Sequence, residues 1–204
     1  MLTQFLALIL SALPAPVVKK RPITFTETRK ELTYAYCKEH YGIAQKSMEI
    51  DPRVIVIHWT GIATLERSFS VFKPEKLASH RGELSGSALN VSAHFLVDRD
   101  GVIYQLMPDN WMARHVIGLN HVAIGIENVG GVDGKEDLTQ EQLEANVALV
   151  RHLQKKYPNI NRVIGHYEYR ELERGPYFKE LVAGYRTAKI DPGPRFMKAL
   201  RKRL

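Results

Sequence analysis

Two histidines stand at the ends of apolar runs that are typical of buried strands. His58 follows the run in "VIVIH", and His166 follows the run in "RVIGH". In α/β sheets the carboxyl ends of strands are where sites are built, so two imidazoles at neighbouring strand ends can converge on one cation. A catalytic zinc ion takes three protein ligands and keeps one position for water. The two histidines therefore indicate a zinc site that needs a third ligand.

The third ligand must be another histidine or a carboxylate. The chain has a single cysteine, Cys37, which excludes intramolecular disulfides and zinc sites built on cysteine pairs. Cys37 lies in an apolar and aromatic stretch, where we expect a small buried side chain rather than a nucleophile. Asp191 lies in the rigid turn sequence "DPGP", which makes it a good candidate ligand. Glu168, two residues after His166, is its rival.

Two further charged residues suit the same chemistry. Glu127 ends the apolar run "AIGIE", and a carboxylate at a buried strand end is costly unless it is paired or functional. It is a candidate general base towards an activated water, and the alternative is a salt-bridged residue at the rim of the sheet. Lys189 lies two residues before Asp191, so an extended chain presents both side chains on one side. It is a candidate for stabilising an oxyanion, and the alternative is a solvated surface lysine.

The elements that must position these residues mix strands and helices without strict alternation. Apolar runs predict strands at 54–57, 122–127 and 162–165, and a hairpin of 94–97 with 102–106 around "DRDG". Thr139 and Gln142 fit a capping box that begins a helix, which Pro158 ends. We also expect a short strand in "ITFT", a helix over 28–40, a helix or irregular segment over 65–80, and a last helix over 194–203. This pattern predicts one α/β domain with a mixed, mostly central sheet flanked by helices.

The N-terminal residues 1–18 carry no charged side chain. The apolar run Phe5 to Leu10, with a cut after Ala15, predicts a secretory signal peptide, and the alternative is a poorly ordered leader. We therefore expect export to the periplasm or cell envelope, or a cytoplasmic protein if the leader is not a signal. The run is too short for a stable membrane span. Residues 19–52 are predicted to form an N-terminal extension, and residues 53–204 the main domain.

Composition restricts the class of partner. The 204 residues are 45% hydrophobic and 25% charged, as in an ordinary soluble globular protein, and the formal net charge is +7. A positive surface favours anionic partners, including nucleic acid, acidic lipid and cell-wall polymers. The basic residues are scattered and form no nucleic-acid-binding motif, so we expect no nucleic-acid partner.

Five motifs in order resemble the zinc-dependent N-acetylmuramoyl-L-alanine amidases, which share a fold with peptidoglycan recognition proteins and phage amidase-lysozymes. The motifs are "IVIHWTG", "SAHFLVDRDGVIYQL", "AIGIENVGG", "IGHYE" and "KIDPGP", and they span about residues 53–200. The resemblance implies one zinc ion held by His58, His166 and Asp191. It also implies Glu127 as the catalytic carboxylate and Lys189 facing the oxyanion. The implied reaction cleaves the amide between N-acetylmuramic acid and L-alanine in peptidoglycan or muropeptides.

The resemblance also suggests substrate-binding residues. His94 matches a histidine next to the cleft in related sequences, and His115 resembles a cleft-lining histidine, with Asn120 in the same wall. Arg114 replaces the tryptophan that precedes this histidine in relatives, and we expect its guanidinium to meet a carboxylate of the stem peptide.

The sequence departs from the family in one place and leaves other functions open. The segment between His166 and Asp191 is longer than in many relatives, so we expect an extra cleft wall or helix there, and Glu168 stays open as a ligand. The alternative function is a non-catalytic peptidoglycan-binding module of the same fold, although three competent ligands favour the enzyme. A nucleic-acid-binding function rests on the net charge alone. We expect a monomer.

Overall fold

A mixed six-stranded sheet forms the centre of the computed structural model, which describes residues 15–44, 46–79 and 87–204. The strands lie in the order β1-β4-β3-β5-β2-β6. Every neighbouring pair is parallel except β3 and β4, which are antiparallel. The predicted mixed sheet is confirmed. The strands are β1 (Val18–Lys20), β2 (Val54–Trp59), β3 (Phe95–Val97), β4 (Ile103–Gln105), β5 (Ala123–Asn128) and β6 (Arg162–Gly165).

Four α-helices pack around this sheet in the described part of the chain. They are α1 (Glu27–Tyr41), α2 (Leu65–Phe72), α3 (Gln140–Lys156) and α4 (Pro194–Arg201). The predicted capping box is present at the start of α3, where Thr139 and Gln142 exchange side-chain and backbone hydrogen bonds. A 3₁₀ helix over His166–Leu172 follows β6 directly. None of the described helices is long and apolar enough to cross a membrane.

The alternation of side chains along the central strands separates two faces of the sheet. On β2, Ile55 and Ile57 pack with the buried residues of α3 and α4, whereas Val54 and Val56 belong to a second cluster on the opposite face. Because alternate residues of a strand point to the same face, His58 continues the row of Val54 and Val56. It therefore lies on the side of the sheet that α3 and α4 do not cover.

The predicted hairpin is confirmed. Leu96 of β3 lies opposite Tyr104 of β4, and the amide of Gly101 donates to the carbonyl of Asp98 in the connecting turn. Gly101 has φ 82°, and a Cβ there would lie 2.8 Å from the carbonyl oxygen of Glu141. The turn therefore needs glycine both for its backbone conformation and for its approach to α3.

The N-terminal segment differs from the prediction in one element. "ITFT" is not a strand; the strand is Val18–Lys20, which pairs with β4 at the edge of the sheet. Past the strand, the amides of Arg21 and Ile23 still donate to the carbonyls of Gln105 and Leu106, and Thr26 then takes the extended conformation that caps α1. Helix α2 ends at Phe72. The next two residues are Lys73, which caps the helix, and Pro74. The predicted signal core over 5–10 lies outside the described residues.

The N-terminal extension and the segment 167–188, which we call the insert, meet each other. Nδ1 of His40, at the end of α1, lies 2.9 Å from Oε1 of Glu180, and both side chains are fully buried. The amide of Leu181 donates to the carbonyl of His40. Beyond Leu172 the described part of the insert has no further helix. It instead forms a wall against α1, which was one of the two expected outcomes.

Candidate metal centre and cleft

Three side chains converge where β2 and β6 end. The Nδ1 atoms of His58 and His166 are 2.9 Å apart. The Oδ2 atom of Asp191 lies 3.2 Å from Nδ1 of His58 and 3.0 Å from Nδ1 of His166. All three residues are buried. The structure thus brings together the three predicted ligands from a central strand, its neighbour and a distant turn.

The donor set fits a divalent metal ion of the zinc type. Two imidazole nitrogens and one carboxylate oxygen are ordinary zinc ligands, and three such ligands leave a position for water. Ligand atoms about 2.0–2.1 Å from one ion at tetrahedral angles would lie about 3.3 Å from one another. The observed separations of 2.9–3.2 Å are close to this value. Among the described residues this is the one cluster of histidine, cysteine and acidic side chains with such spacing.

His58 and Asp191 are in the protonation states that metal binding needs. Burial, together with the neighbouring His166, lowers the pKa of His58 to about 4. Burial alone would raise the pKa of Asp191, but the charge and hydrogen bond of His166, with His58 beside it, hold that pKa well below its usual range. At neutral pH His58 is therefore a neutral imidazole and Asp191 an ionised carboxylate.

Glu168, the rival ligand, faces away from this cluster. Its Oε2 atom accepts a hydrogen bond from the amide of Gly165 at 2.7 Å, and its Oε1 atom accepts one from Arg201 of α4 at 2.9 Å. Burial raises the pKa of Glu168, but the bond from Arg201 outweighs it and the pKa is lowered. The Glu168 carboxylate therefore links the end of β6 to α4 through these two hydrogen bonds. Asp191 is the third member of the cluster.

The backbone of Asp191 is fixed by a hydrogen bond from Tyr167 and by the turn residues that follow it. The carbonyl of Asp191 accepts a hydrogen bond from the amide of Tyr167 at 3.0 Å. Gly193 follows with φ 88°, and Pro194 begins α4 as its first residue. The turn therefore joins the start of α4 to the end of β6, which places the carboxylate beside the histidines.

Glu127 and Lys189 line the same cleft. Glu127 on β5 lies opposite His58 in the parallel register, so the two side chains project from the same face. Glu127 is buried, and Lys189 is half-buried and near enough to oppose protonation of His58. The cleft encloses about 230 Å³. Its other walls include Trp59, Thr60, Ile62, Tyr36, Tyr185 and Thr187.

His115 lies at the base of the cleft and contacts a member of the cluster. Its Nδ1 atom is 3.0 Å from Nε2 of His58, and its Nε2 atom is 3.3 Å from the carbonyl oxygen of Ala123. Burial, with the neighbouring His58 and His94, lowers the pKa of His115 well below its usual value. Both ring nitrogens therefore already have partners within the protein.

His94, predicted to contact substrate, is not among the residues that line the cleft. It is fully buried. Its Nδ1 atom accepts a hydrogen bond from the amide of Gly125 at 2.9 Å, and its Nε2 atom donates to the carbonyl of Trp111 at 2.6 Å. Burial lowers its pKa to about 4, so the ring is neutral. This imidazole joins β5 to a loop, and the substrate contact of His94 stays a prediction.

Asn120 and Arg114 border the cleft, but their polar atoms hold the surrounding segments. The Oδ1 atom of Asn120 accepts from the amides of His115 and Val116, each at 2.8 Å, and its Nδ2 atom donates to Tyr41 of α1. Arg114 donates to the carbonyl of Leu89 and to the hydroxyl of Tyr185. These contacts favour a structural role for Asn120. The substrate contact of Arg114 stays a prediction.

Several features of the cleft were not anticipated. Tyr36 of α1 and Tyr185 of the insert line it, although neither lies in a motif that the sequence singled out. The bond between His58 and His115 was also missed. Gly125, an isolated glycine within a strand pattern, is the signal that could have indicated a close approach there, because a Cβ at this position would meet the His115 ring at 2.7 Å.

Comparison with known proteins agrees with this architecture. The profile of the family described as N-acetylmuramoyl-L-alanine amidase matches residues 48–194. The endolysin of Enterobacteria phage K11 is 31% identical over 74 residues, which are 34% of this chain and 49% of the phage protein. The chain thus spans about half the length of the curated relatives it matches.

Two solved structures share the fold. A selenomethionine derivative of AmpD aligns with a TM-score of 0.56 at 23% identity, covering 92% of this chain and 94% of AmpD. Bumblebee PGRP-SA aligns with a TM-score of 0.55 at 22% identity, covering 93% of this chain and 96% of PGRP-SA. The predicted fold is therefore confirmed.

Proposed function

Because the chain belongs to the N-acetylmuramoyl-L-alanine amidase family, we propose that it hydrolyses the amide between N-acetylmuramic acid and L-alanine in a zinc-dependent reaction. The substrate is peptidoglycan or a soluble muropeptide. The observation that carries the proposal is the cluster of His58, His166 and Asp191 in a cleft that also holds Glu127 and Lys189. A ligand set, a base and a cation in one buried cleft are what amide hydrolysis requires.

The three cluster residues would hold the metal. Nδ1 of His58, Nδ1 of His166 and a carboxylate oxygen of Asp191 lie close enough together to bind one ion. When bound, zinc supplies a Lewis acid that lowers the pKa of water and polarises the carbonyl of the scissile amide.

Glu127 is the proposed proton carrier. It faces the cleft from the strand next to His58, so its carboxylate can accept the proton of the attacking water as the oxygen bonds to the amide carbon. The same carboxyl group then returns that proton to the departing amine as the carbon–nitrogen bond breaks. Proton and bond changes thus balance across one turnover, and Glu127 ends as it began.

Lys189 is the proposed oxyanion partner. The tetrahedral intermediate carries a negative oxygen, and the ammonium group of Lys189, which lines the cleft, would donate to it. Because the surroundings are largely buried, this interaction is stronger than it would be in water.

Digestion of purified cell wall tests the proposal. Zinc-loaded protein is incubated with sacculi and, separately, with soluble muropeptides, and the products are identified by mass. We expect free stem peptides that begin with L-alanine, at a rate that falls after chelation and returns when Zn²⁺ is added back. Products that keep the muramic acid–alanine amide intact, with cleavage elsewhere, would contradict it.

The same assay distinguishes the alternative function. A peptidoglycan-binding module would sediment with sacculi but release no stem peptide. The Glu127→Gln variant provides the reference, since it should bind sacculi as the parent protein does and release stem peptides far more slowly.

We also propose export to the periplasm or cell envelope, based on the uncharged residues 1–18. Cell fractionation with N-terminal sequencing tests this proposal. Mature protein in the envelope that begins after Ala15 is the expected result, and a cytoplasmic protein that keeps residues 1–18 would contradict it.

A further inference from the structure

His115 lies directly behind one member of the ligand cluster. The two nitrogens of His58 face opposite ways: Nδ1 faces His166 and Asp191, and Nε2 lies 3.0 Å from Nδ1 of His115. The two imidazole planes are nearly perpendicular, at 86°. The nitrogen of His58 that does not face the cluster is therefore hydrogen-bonded by a second histidine.

One arrangement of protons makes every contact from His58 through His115 to Ala123 a hydrogen bond. The carbonyl oxygen of Ala123 can only accept, so Nε2 of His115 must carry a proton in order to donate to it. A neutral imidazole has one N–H, so Nδ1 of His115 is an acceptor. Nε2 of His58 must then be the donor, and Nδ1 of His58 is left with its lone pair directed at the cluster.

The strand and the loop are shaped to hold the His115 ring in this place. A Cβ at position 125 would lie 2.7 Å from Cγ and 2.8 Å from Nδ1 of His115, so only glycine leaves room for the ring on the sheet. The amide of His115 donates to Oδ1 of Asn120 at 2.8 Å, which fixes the backbone from the other side. Gly125 of β5 and Asn120 of the loop thus each help to hold the His115 ring against His58.

We propose that His115 is a positioning residue that fixes the tautomer of His58, so that Nδ1 of His58 is presented to the metal ion before the ion arrives. The inference rests on the proposed function insofar as it takes His58 as a zinc ligand. It differs from the substrate contact expected for His115 from the sequence. Removal of such an outer partner typically lowers metal affinity or activity about 10–100-fold.

The tautomer is measurable without metal or substrate. In ¹⁵N-histidine-labelled, zinc-free protein, long-range ¹⁵N–¹H spectra distinguish a protonated from an unprotonated ring nitrogen, and a His58→Gln variant assigns the resonances. We expect His58 with its proton on Nε2 and His115 with its proton on Nε2. A His58 ring with its proton on Nδ1 would overturn the inference.

Two variants with the same number of side-chain heavy atoms separate hydrogen bonding from packing. His115→Asn keeps an acceptor near the position of Nδ1, and His115→Leu replaces that acceptor with a methyl group. We expect His115→Leu to bind Zn²⁺ about 10–100-fold more weakly in a chelator competition, and His115→Asn to recover a large part of the loss. His152→Leu, on the exposed side of α3, is the control and should bind like the parent protein.

Each outcome has one meaning. Equal losses in the Asn and Leu variants would assign His115 to packing and overturn the tautomer role, as would parental affinity in both. If the parent protein takes up no Zn²⁺ while its His58 carries the proton on Nε2, the proposed function fails and the hydrogen-bond chain stands. If the parent binds zinc and releases stem peptides but His58 carries its proton on Nδ1, the reverse holds.

Discussion

Two buried groups in this protein pair histidine with a carboxylate, and they differ in what surrounds them. In the cluster at the ends of β2 and β6, His166 lies 3.0 Å from Asp191. Between α1 and the insert, His40 lies 2.9 Å from Glu180. The contact distances are nearly the same. A buried histidine–carboxylate pair therefore does not by itself identify a metal site.

The two histidine–carboxylate groups differ in the side chains that surround them. The cluster has a third donor, His58, and opens into the cleft. The His40 ring is stacked on Tyr36 at 3.9 Å and packs against Tyr185 at 4.8 Å, so aromatic faces occupy the space where further ligands would stand. The first group is arranged to hold an ion, and the second joins two segments of the chain.

Asp191→Ala should have the largest effect, because it reduces the cluster to two donors. If a four-ligand zinc site binds with about 10–16 kcal/mol, each ligand contributes about 3–4 kcal/mol, so affinity should fall about 10²–10³-fold. Turnover should be lost with it. Chelator competition measures the affinity, and Glu180→Ala is the matched control that should bind zinc like the parent. Stoichiometric zinc at parental affinity in Asp191→Ala would refute the ligand assignment.

Glu127→Gln tests whether Glu127 acts in proton transfer or as a zinc ligand. Gln has nearly the same size but cannot take a proton, so turnover should fall about 10²–10⁴-fold. Zinc affinity should stay within a few-fold of the parent value. Muropeptide release and zinc content measured on one preparation check both. Loss of zinc together with turnover would make Glu127 a ligand instead.

Lys189→Met removes the cation from the cleft wall while keeping most of the side-chain volume. We expect a fall in kcat of about 10²–10³-fold, typical of losing one oxyanion donor, with little change in zinc binding or unfolding midpoint. Lys179→Met, on the exposed surface of the insert, is the control. An unchanged kcat would mean that Lys189 is an ordinary surface lysine.

Glu180→Ala addresses the second group and should have the smallest effect on chemistry. Loss of one partner leaves His40 buried without its carboxylate, so the free energy of unfolding should fall by about 1–3 kcal/mol in urea titrations. Zinc affinity should remain at the parental value. Glu27→Ala, which breaks an exposed pair with Lys30, should lower the free energy of unfolding less than Glu180→Ala does. A zinc defect in Glu180→Ala would erase the distinction between the two groups.

The sequence predicted the elements whose patterns are local and strong. β2 and β5 are continuous apolar runs, and the capping box of α3 places its start at the right residue. The ends of those runs also placed His58, Glu127 and His166 on one edge. These predictions succeeded because strand periodicity and helix capping depend on residues that are close together in the sequence.

The roles of His94 and His115 depend on tertiary packing and could not be predicted from the sequence. His94 and His115 both lie beside Gly125, yet one bonds only to backbone and the other to His58. Nothing in their flanking residues separates them, because their partners come from other elements. The strand assigned to "ITFT" failed similarly, since pairing with β4 selects Val18–Lys20.

The distribution of the ligands along the chain has a kinetic consequence. His58 and Asp191 are separated by 133 residues, and β2 gains both of its parallel neighbours only from later segments. Closing such long loops is entropically costly, and parallel pairing between distant segments is slow. The three ligands therefore meet only after the central sheet has assembled. Zinc should be captured by an already folded chain rather than act as a nucleus for its folding, and an emerging chain should offer the ion no complete site until Asp191 has left the ribosome.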